Sequence, residues 1–304
     1  MEVIQYIIKN KLFKIKPIVL MHIGSAGSNF VNWKNISSSS ILISVDGNEA
    51  AKNKNHMFLK EINDNSIISN KNGYSSFYIT KDSHCSSLLK PQMKNIRDWY
   101  LAHRFKVKKK INVKTISFNN FLKKQKIKYI DWLVIDAQGM DLKILKSLNK
   151  NIRDKISIID IEPGFFNFYD NESSISEIFK YMNSNKFEFS EMKFGNNYKV
   201  SSKNLSNFEK KVLFSNSNPS KNYSNITFLN QRKFERANLI KTIYLINQNK
   251  IFEAKHHVSK NFLDIKIKKN LLLKINKEVA KEKFKFFFII PFLIIKKIFK
   301  KLCL

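Results

Sequence analysis

Short apolar runs that stop at glycine or polar residues recur along the first 230 positions. Pro17–Ile23 (PIVLMHI) ends at Gly24, and Ile41–Val45 (ILISV) ends at Asp46-Gly47. Phe58–Ile62 is a weaker third run. Ile130–Ile135 (IDWLVI) ends at Asp136, and Ile156–Ile161 (ISIIDI) ends at Glu162-Pro163-Gly164. Runs bounded in this way predict buried strands. Between them, Phe30, Val31 and Trp33 fall on one face of a helix, and Ser37–Ser40 reads as a loop. Phe118–Lys126 and Ile175–Met182 read as helices. Leu142, Leu145 and Leu148 recur at helical spacing within Met140–Leu148, with Asp141 in the first turn where the helix dipole favours a carboxylate.

Ser66–Ser69 and Ser75–Thr80 flank Asn72-Gly73, which predicts a hairpin because a type I′ turn needs φ > 0 at both central positions. Gln92–Lys110 reads as basic helix and loop. Phe187–Phe189 and Ile226–Leu229 read as final strands on either side of the Ser/Asn/Lys-rich stretch at 201–225. Strand and helix alternate over roughly 17–182, which argues for an α/β fold with a parallel sheet. Ligands of such sheets bind beyond the carboxyl ends of the strands. Gly24-Ser25, Asp46, Asp136 and Glu162 all follow strands directly, so they are expected to collect on one sheet edge.

Composition narrows the class. In 304 residues, 43% are apolar and 13% aromatic, enough for a packed core and too much for a disordered chain. Cys85 and Cys303 are the only cysteines, so there is no disulfide framework and no cysteine-based zinc site. The six histidines lack the spacing of a metal motif, so spacing builds no metal site, although Asp136 with Glu162 could hold an ion. Lys+Arg number 55 against 24 Asp+Glu, a net charge of +31. Only Arg97, Arg104, Arg153, Arg232 and Arg236 are arginines; the lysine, asparagine, isoleucine and phenylalanine excess matches A/T-rich codons. Arginine scarcity disfavours a nucleic-acid partner.

The turn Gly24-Ser25-Ala26-Gly27 lets a ligand approach the backbone closely, and Asp46, 22 residues after Gly24, is placed for the two hydroxyls of a ribose. The spacing is neither the dinucleotide fingerprint nor a P-loop, which points to a nucleoside without pyrophosphate.

The segment Val113–Leu148 resembles the FkbM family of methyltransferases, above all in Ile130-Asp131-Trp132-Leu133-Val134-Ile135-Asp136-Ala137-Gln138-Gly139-Met140-Asp141-Leu142. His22-Ile23-Gly24-Ser25-Ala26-Gly27 resembles the first motif of that family. Cys85-Ser86-Ser87-Leu88 resembles a later serine segment, and Ile159-Asp160-Ile161-Glu162 through Tyr169 its late strand. The resemblance covers roughly 17–230. It implies a class I, Rossmann-like methyltransferase with a mostly parallel sheet and helices on both faces, using S-adenosylmethionine to methylate a sugar or polyketide hydroxyl. The methionine end of the cofactor would lie over His22, Gly24, Ser25 and Gly27, its carboxylate near helix N–H groups, and the ribose would meet Asp46 and Gly47. Asp136 is the first choice of base and Glu162 the second. His84 and His103 read as surface or core histidines. The family often has Asp where His22 stands, Glu at Gln138 and Lys at Val134. Asp136-Ala137-Gln138-Gly139 is not the motif of enzymes that methylate nucleobase amines.

These readings divide the chain into a 1–230 methyltransferase domain and a 231–304 extension that is basic and helical, with a net charge of +14. Residues 266–301 carry +10 around the apolar run Phe286–Ile295, which is interrupted by Pro291 and too short to span a bilayer. Such a segment suits an anionic membrane surface. The start of the chain does not read as a signal peptide. The expectation is therefore a cytoplasmic enzyme, peripheral on the inner membrane face, with a glycan or small-molecule hydroxyl acceptor. The competing readings are an inactive relative that binds membrane or polyanion, and an RNA methyltransferase.

Overall fold

The structure, a computed structural model, describes residues 2–26, 28, 30–47, 57–197, 206 and 220–281. They form two compact units, one of residues 17–232 and one of residues 2–16 with 233–281. The expected division at 230/231 did not separate the first sixteen residues from the sheet; here they group with the C-terminal helices.

Among the described residues the larger unit carries ten strands: β1 (Ile18–Ile23), β2 (Ser40–Val45), β3 (Lys60–Asp64), β4 (Ile67–Ser69), β5 (Gly73–Thr80), β6 (Val107–Ser117), β7 (Trp132–Ile135), β8 (Ile158–Ile161), β9 (Phe187–Asn197) and β10 (Ser220–Asn230). Seven form one sheet in the order β3-β2-β1-β7-β8-β10-β9. β1, β2, β3, β7 and β8 run parallel, and β10 is antiparallel to both β8 and β9. All but one residue of β1 is buried, as expected of a parallel strand covered on both faces. The chain runs outward from β1 to β3, then crosses to β7 on the other side of β1. That reversal is a topological switch point, and it lies between Gly24 and Asp136.

Local sequence explains the helices around this sheet. Ser117 caps Phe118–Lys124, whose Phe118, Phe121 and Leu122 enter the core. Ile175–Ser184 opens with a capping box of Ser174 and Glu177 and buries Ile178 and Met182; such a cap contributes about 1 kcal/mol.

Three expectations need correction. Val31–Ser39 is a 3-10 helix that includes Ser37 and runs directly into β2, not an α-helix followed by a loop. Gln92–Lys110 is not helix and loop throughout, because its end belongs to β6. Lysines mask the strand signal there: Lys108, Lys109, Lys110 and Lys114 are exposed, while Ile111 and Val113 are half-buried. The Asn72-Gly73 hairpin does not form either. β6 lies between β4 and β5, with Thr115 opposite both Ile67 and Gly73. The Thr115 hydroxyl faces the carbonyls of Lys71 and Gly73, each at 3.2 Å, and the Ser117 amide donates to Asn72 Oδ1 at 2.9 Å. The turn therefore carries the chain around the end of β6.

The smaller unit is helical. It contains Glu2–Ile8, Lys11–Ile15, Glu235–Asn247, Ile251–Asn261 and a helical segment at 265–281. Glu235–Asn247 is buried continuously from Ala237 to Leu245. The Arg236 guanidinium lies 4.9 Å from the Phe13 ring centre and donates to the Lys16 carbonyl at 2.8 Å. These contacts tie the start of the chain to the later helices.

Candidate active site

The polar residues at the strand ends converge as alternation predicts. A cavity of about 630 Å³ opens along the carboxyl edge of β1, β2, β7 and β8. Gly24, Asp46, Gly47, Asp136 and Glu162 line one side of it. The smaller sheet contributes apolar lining, with Phe77 of β5 opposite Ile111 of β6 and Ile79 and Val113 beside them. Among the described residues none of the chain's lysines lines it; Arg104 and His84 are its basic neighbours.

Gly24 makes the switch point possible. Its φ is +79°, and a Cβ there would lie 1.8 Å from the Asp136 carbonyl oxygen. Only glycine lets β1 turn this close to the end of β7. The Gly24 amide donates to the Val45 carbonyl at 2.8 Å, and the Asp136 amide to the Ile23 carbonyl at 2.9 Å. The Ala26 amide donates to Asp46 Oδ2 at 3.0 Å, which fixes the turn against the end of β2.

Asp136 and Glu162 lie on neighbouring strand ends, close enough for each carboxyl to act on the other, and Asn225 Nδ2 donates to Glu162 Oε1 at 3.4 Å. Burial, and then the neighbouring Asp136, push Glu162 up to about 10. Burial raises Asp136 as well. Two carboxyls this close and this buried hold one proton between them, because both cannot ionise cheaply. Gln138 Nε2 donates to Asp136 Oδ1 at 2.6 Å, and Gln138 Oε1 accepts from the Tyr169 hydroxyl at 2.9 Å. Gln138 adopts φ +49° and Gly139 φ +88°. This left-handed turn is held by Ser87, whose hydroxyl donates to the Gln138 carbonyl at 2.7 Å, and by Asp141, which accepts the amides of Ala137 and Gly139 at 3.1 Å each. Burial, then Asp136, push Asp141 up to about 8. Glu172 closes the far side by accepting the amides of Gly164, Phe168 and Tyr169.

Not every expected residue faces the cavity. His22 is outside its lining: the ring packs edge-on to Phe30 and Trp33, its Nδ1 is 3.2 Å from the Ser28 hydroxyl, and burial lowers it to about 4, so it is neutral. Ser25 is buried beneath the turn and accepts a 2.6 Å hydrogen bond from the Ser44 hydroxyl. Gly27 lies outside the described residues. His84, read above as bland, is a lining residue with Nδ1 3.0 Å from Asp82 Oδ1, and Asp82 also pairs with Arg104 at 2.6 Å. His103 is not in the lining.

Sequence reasoning missed Glu172, the anchoring role of Asp141 and the apolar wall. Asp141 two residues after Gly139 was a usable signal, since a short acidic side chain there can accept the amides of its own turn. Among the described residues no group of three or more His, Cys, Asp or Glu side chains is arranged to hold a metal ion.

The profile of a family described as "Methyltransferase FkbM domain" matches residues 22–189, which includes every strand end on this cavity. No curated protein matches this chain. Among solved structures it is similar to the crystal structure of a 30S ribosomal A1408 methyltransferase from an uncultured bacterium (UncKam). That similarity covers 73% of this chain and 94% of the other at 10% identity, with a TM-score of 0.27. At that score the likeness says nothing about fold or substrate.

Proposed function

The chain belongs to the FkbM methyltransferase family, and on that premise we propose that it methylates a hydroxyl oxygen of a sugar or lipid-linked surface glycan, using S-adenosylmethionine. The observation that supports this most is the meeting of Gly24, Asp46, Asp136 and Glu162 on one cavity at the switch point.

The residues present fit the cofactor. S-adenosylmethionine is cationic at its sulfur and its amino group, and the cavity offers carboxyls and no lysine among the described residues. Asp46 sits at the rim of the turn, where its carboxylate can accept from both ribose hydroxyls. Gly24 and Gly47 line the cavity, their missing side chains giving room to the Asp136 carbonyl and to Ile67, and Gly27 belongs to the same turn in sequence. His22 and Ser25 act from beneath: the neutral imidazole and the Ser44–Ser25 pair support the turn without presenting charge to it.

When bound, the cofactor supplies a methyl group on a sulfonium, open to in-line attack by an oxygen nucleophile. The chain's own task is to align the acceptor hydroxyl and take its proton as the O–C bond forms. The Asp136–Glu162 pair is suited to that task, since burial raises Asp136 toward working pH and a base is most effective there. Gln138 aims the Asp136 carboxylate, and Tyr169 holds Gln138.

The test is calorimetric binding of S-adenosylmethionine to the native chain and to Asp46→Ala, followed by release of S-adenosylhomocysteine with a panel of sugars and lipid-linked glycans. Micromolar binding lost in the variant, with turnover on a hydroxyl acceptor, is the expected result. A folded native chain that binds no cofactor, or turnover only on nitrogen acceptors, would overturn the proposal.

A further inference from the structure

The helical unit presents a surface that the methyl-transfer reading leaves unused. On the segment 265–281, Leu271, Ile275 and Val279 are buried. On one flank of the helix Asn270 donates to the Tyr6 hydroxyl at 3.1 Å, and the Lys274 ammonium lies 5.4 Å from the Tyr6 ring centre. The opposite face is open. Positions 265, 269, 273 and 277, each about 40° further round the helix than the last, fall within about a third of a turn and read Ile, Lys, Leu, Lys. Ile265 is 81% exposed, Leu273 59%, and the preceding Leu263 95%. Lys266 adds a further exposed cation.

The nearby acids are committed locally. Asp264 accepts the Ile267 amide at 2.8 Å, and Glu278 pairs with Lys281 at 3.0 Å.

We propose that this face of 265–281, with Leu263, docks on an anionic lipid surface. The occupant follows from the pairing of chemistries. Lysines interleaved with aliphatic side chains suit the boundary between charged headgroups and acyl chains. A nucleic-acid surface would favour arginine and stacking aromatics, and this face has neither. Among the described residues no helix is long and apolar enough to cross a membrane, so the contact lies in the interface plane. The inference is independent of which hydroxyl is methylated.

The experiment is co-sedimentation of the full chain with vesicles of phosphatidylcholine alone and of phosphatidylcholine with phosphatidylglycerol. It is repeated with Ile265→Asp/Leu273→Asp and with Lys266→Gln/Lys269→Gln/Lys277→Gln. These side chains are exposed, so folding is preserved, checked by circular dichroism and by unchanged S-adenosylmethionine calorimetry. The native chain binds the anionic vesicles, and either variant binds roughly tenfold or more weakly. Absence of binding, binding that neither variant weakens, equal binding to neutral vesicles, or retention on an RNA oligonucleotide but not on vesicles would each overturn it. A change in self-association caused by the aspartates, with vesicle binding intact, would overturn it in favour of a second copy of the chain.

Discussion

In the 17–232 unit Asp46, Asp136, Glu162 and Glu172 line a cavity that none of the chain's lysines lines among the described residues, with Asp141 buried behind the Ala137–Gly139 turn. In the unit of residues 2–16 and 233–281, lysines share an outward helical face with exposed aliphatic side chains. Both come from one lysine-rich chain. The difference shows that overall charge says little about a site: a lysine keeps its ammonium in water at little cost, whereas a buried ammonium beside a cationic ligand would pay desolvation and repulsion together. The carboxyls bear the opposite strain. Burial holds Asp141 and Glu162 above their ordinary range.

The largest test of the cavity side is Gly24→Ala. A Cβ 1.8 Å from the Asp136 carbonyl, at φ +79°, forces the ends of β1 and β7 apart. A loss of about 3 kcal/mol or more is expected, together with loss of cofactor binding, measured by thermal unfolding and calorimetry. Wild-type stability would contradict the pinched switch point. Next is Glu162→Gln, which keeps shape and removes the shared proton. Turnover falls by roughly 10²–10⁴-fold while cofactor affinity changes far less, read from separate kcat and KM values.

The same pair sets a pH dependence. Glu162 and Asp141 hold their protons more tightly in the folded state than in the unfolded chain. Stability therefore falls as pH rises, from 4.5 to about 10 for Glu162 and from 3.8 to about 8 for Asp141. Denaturant midpoints across pH 5 to 9, taken with and without Glu162→Gln, should show a shallower alkaline decline in the variant, by on the order of 1–3 kcal/mol at the top of that range. By linkage, a cationic ligand that draws these carboxyls toward ionisation binds more tightly as pH rises and releases protons, which calorimetry in two buffers of different ionisation enthalpy will detect. The smallest effect is reserved for the other unit. Lys269→Gln and Lys277→Gln should move stability by no more than about 0.5 kcal/mol and leave turnover of a soluble acceptor unchanged. A drop in turnover there would break the contrast between the two regions.

Much of this was legible in the chain itself. The strands ending at Gly24, Asp46, Asp136 and Glu162 follow from apolar runs cut off by polar residues, because a parallel strand buried on both faces has no other way to read. Strand–helix alternation then places those ends on one edge, and the family follows from the motif around Asp136. What the sequence left open depends on contacts between distant positions. β6 was hidden by lysines that are solvated on one face while Ile111 and Val113 form the cavity wall on the other. The Asn72-Gly73 signal is local, and the partner that displaced the hairpin, Thr115, lies more than forty residues away. His22 occupies the expected place in the motif, yet its ring packs with Phe30 and Trp33 and does not line the cavity. Pairing of Asp136 with Glu162 required β7 and β8 to lie side by side. Hydrophobic patterning determines which segments are strands and where they stop, since burial acts residue by residue. Which carboxyls share a proton, and which lysines stay at the surface, is decided only when folding sets their distances and removes water from between them.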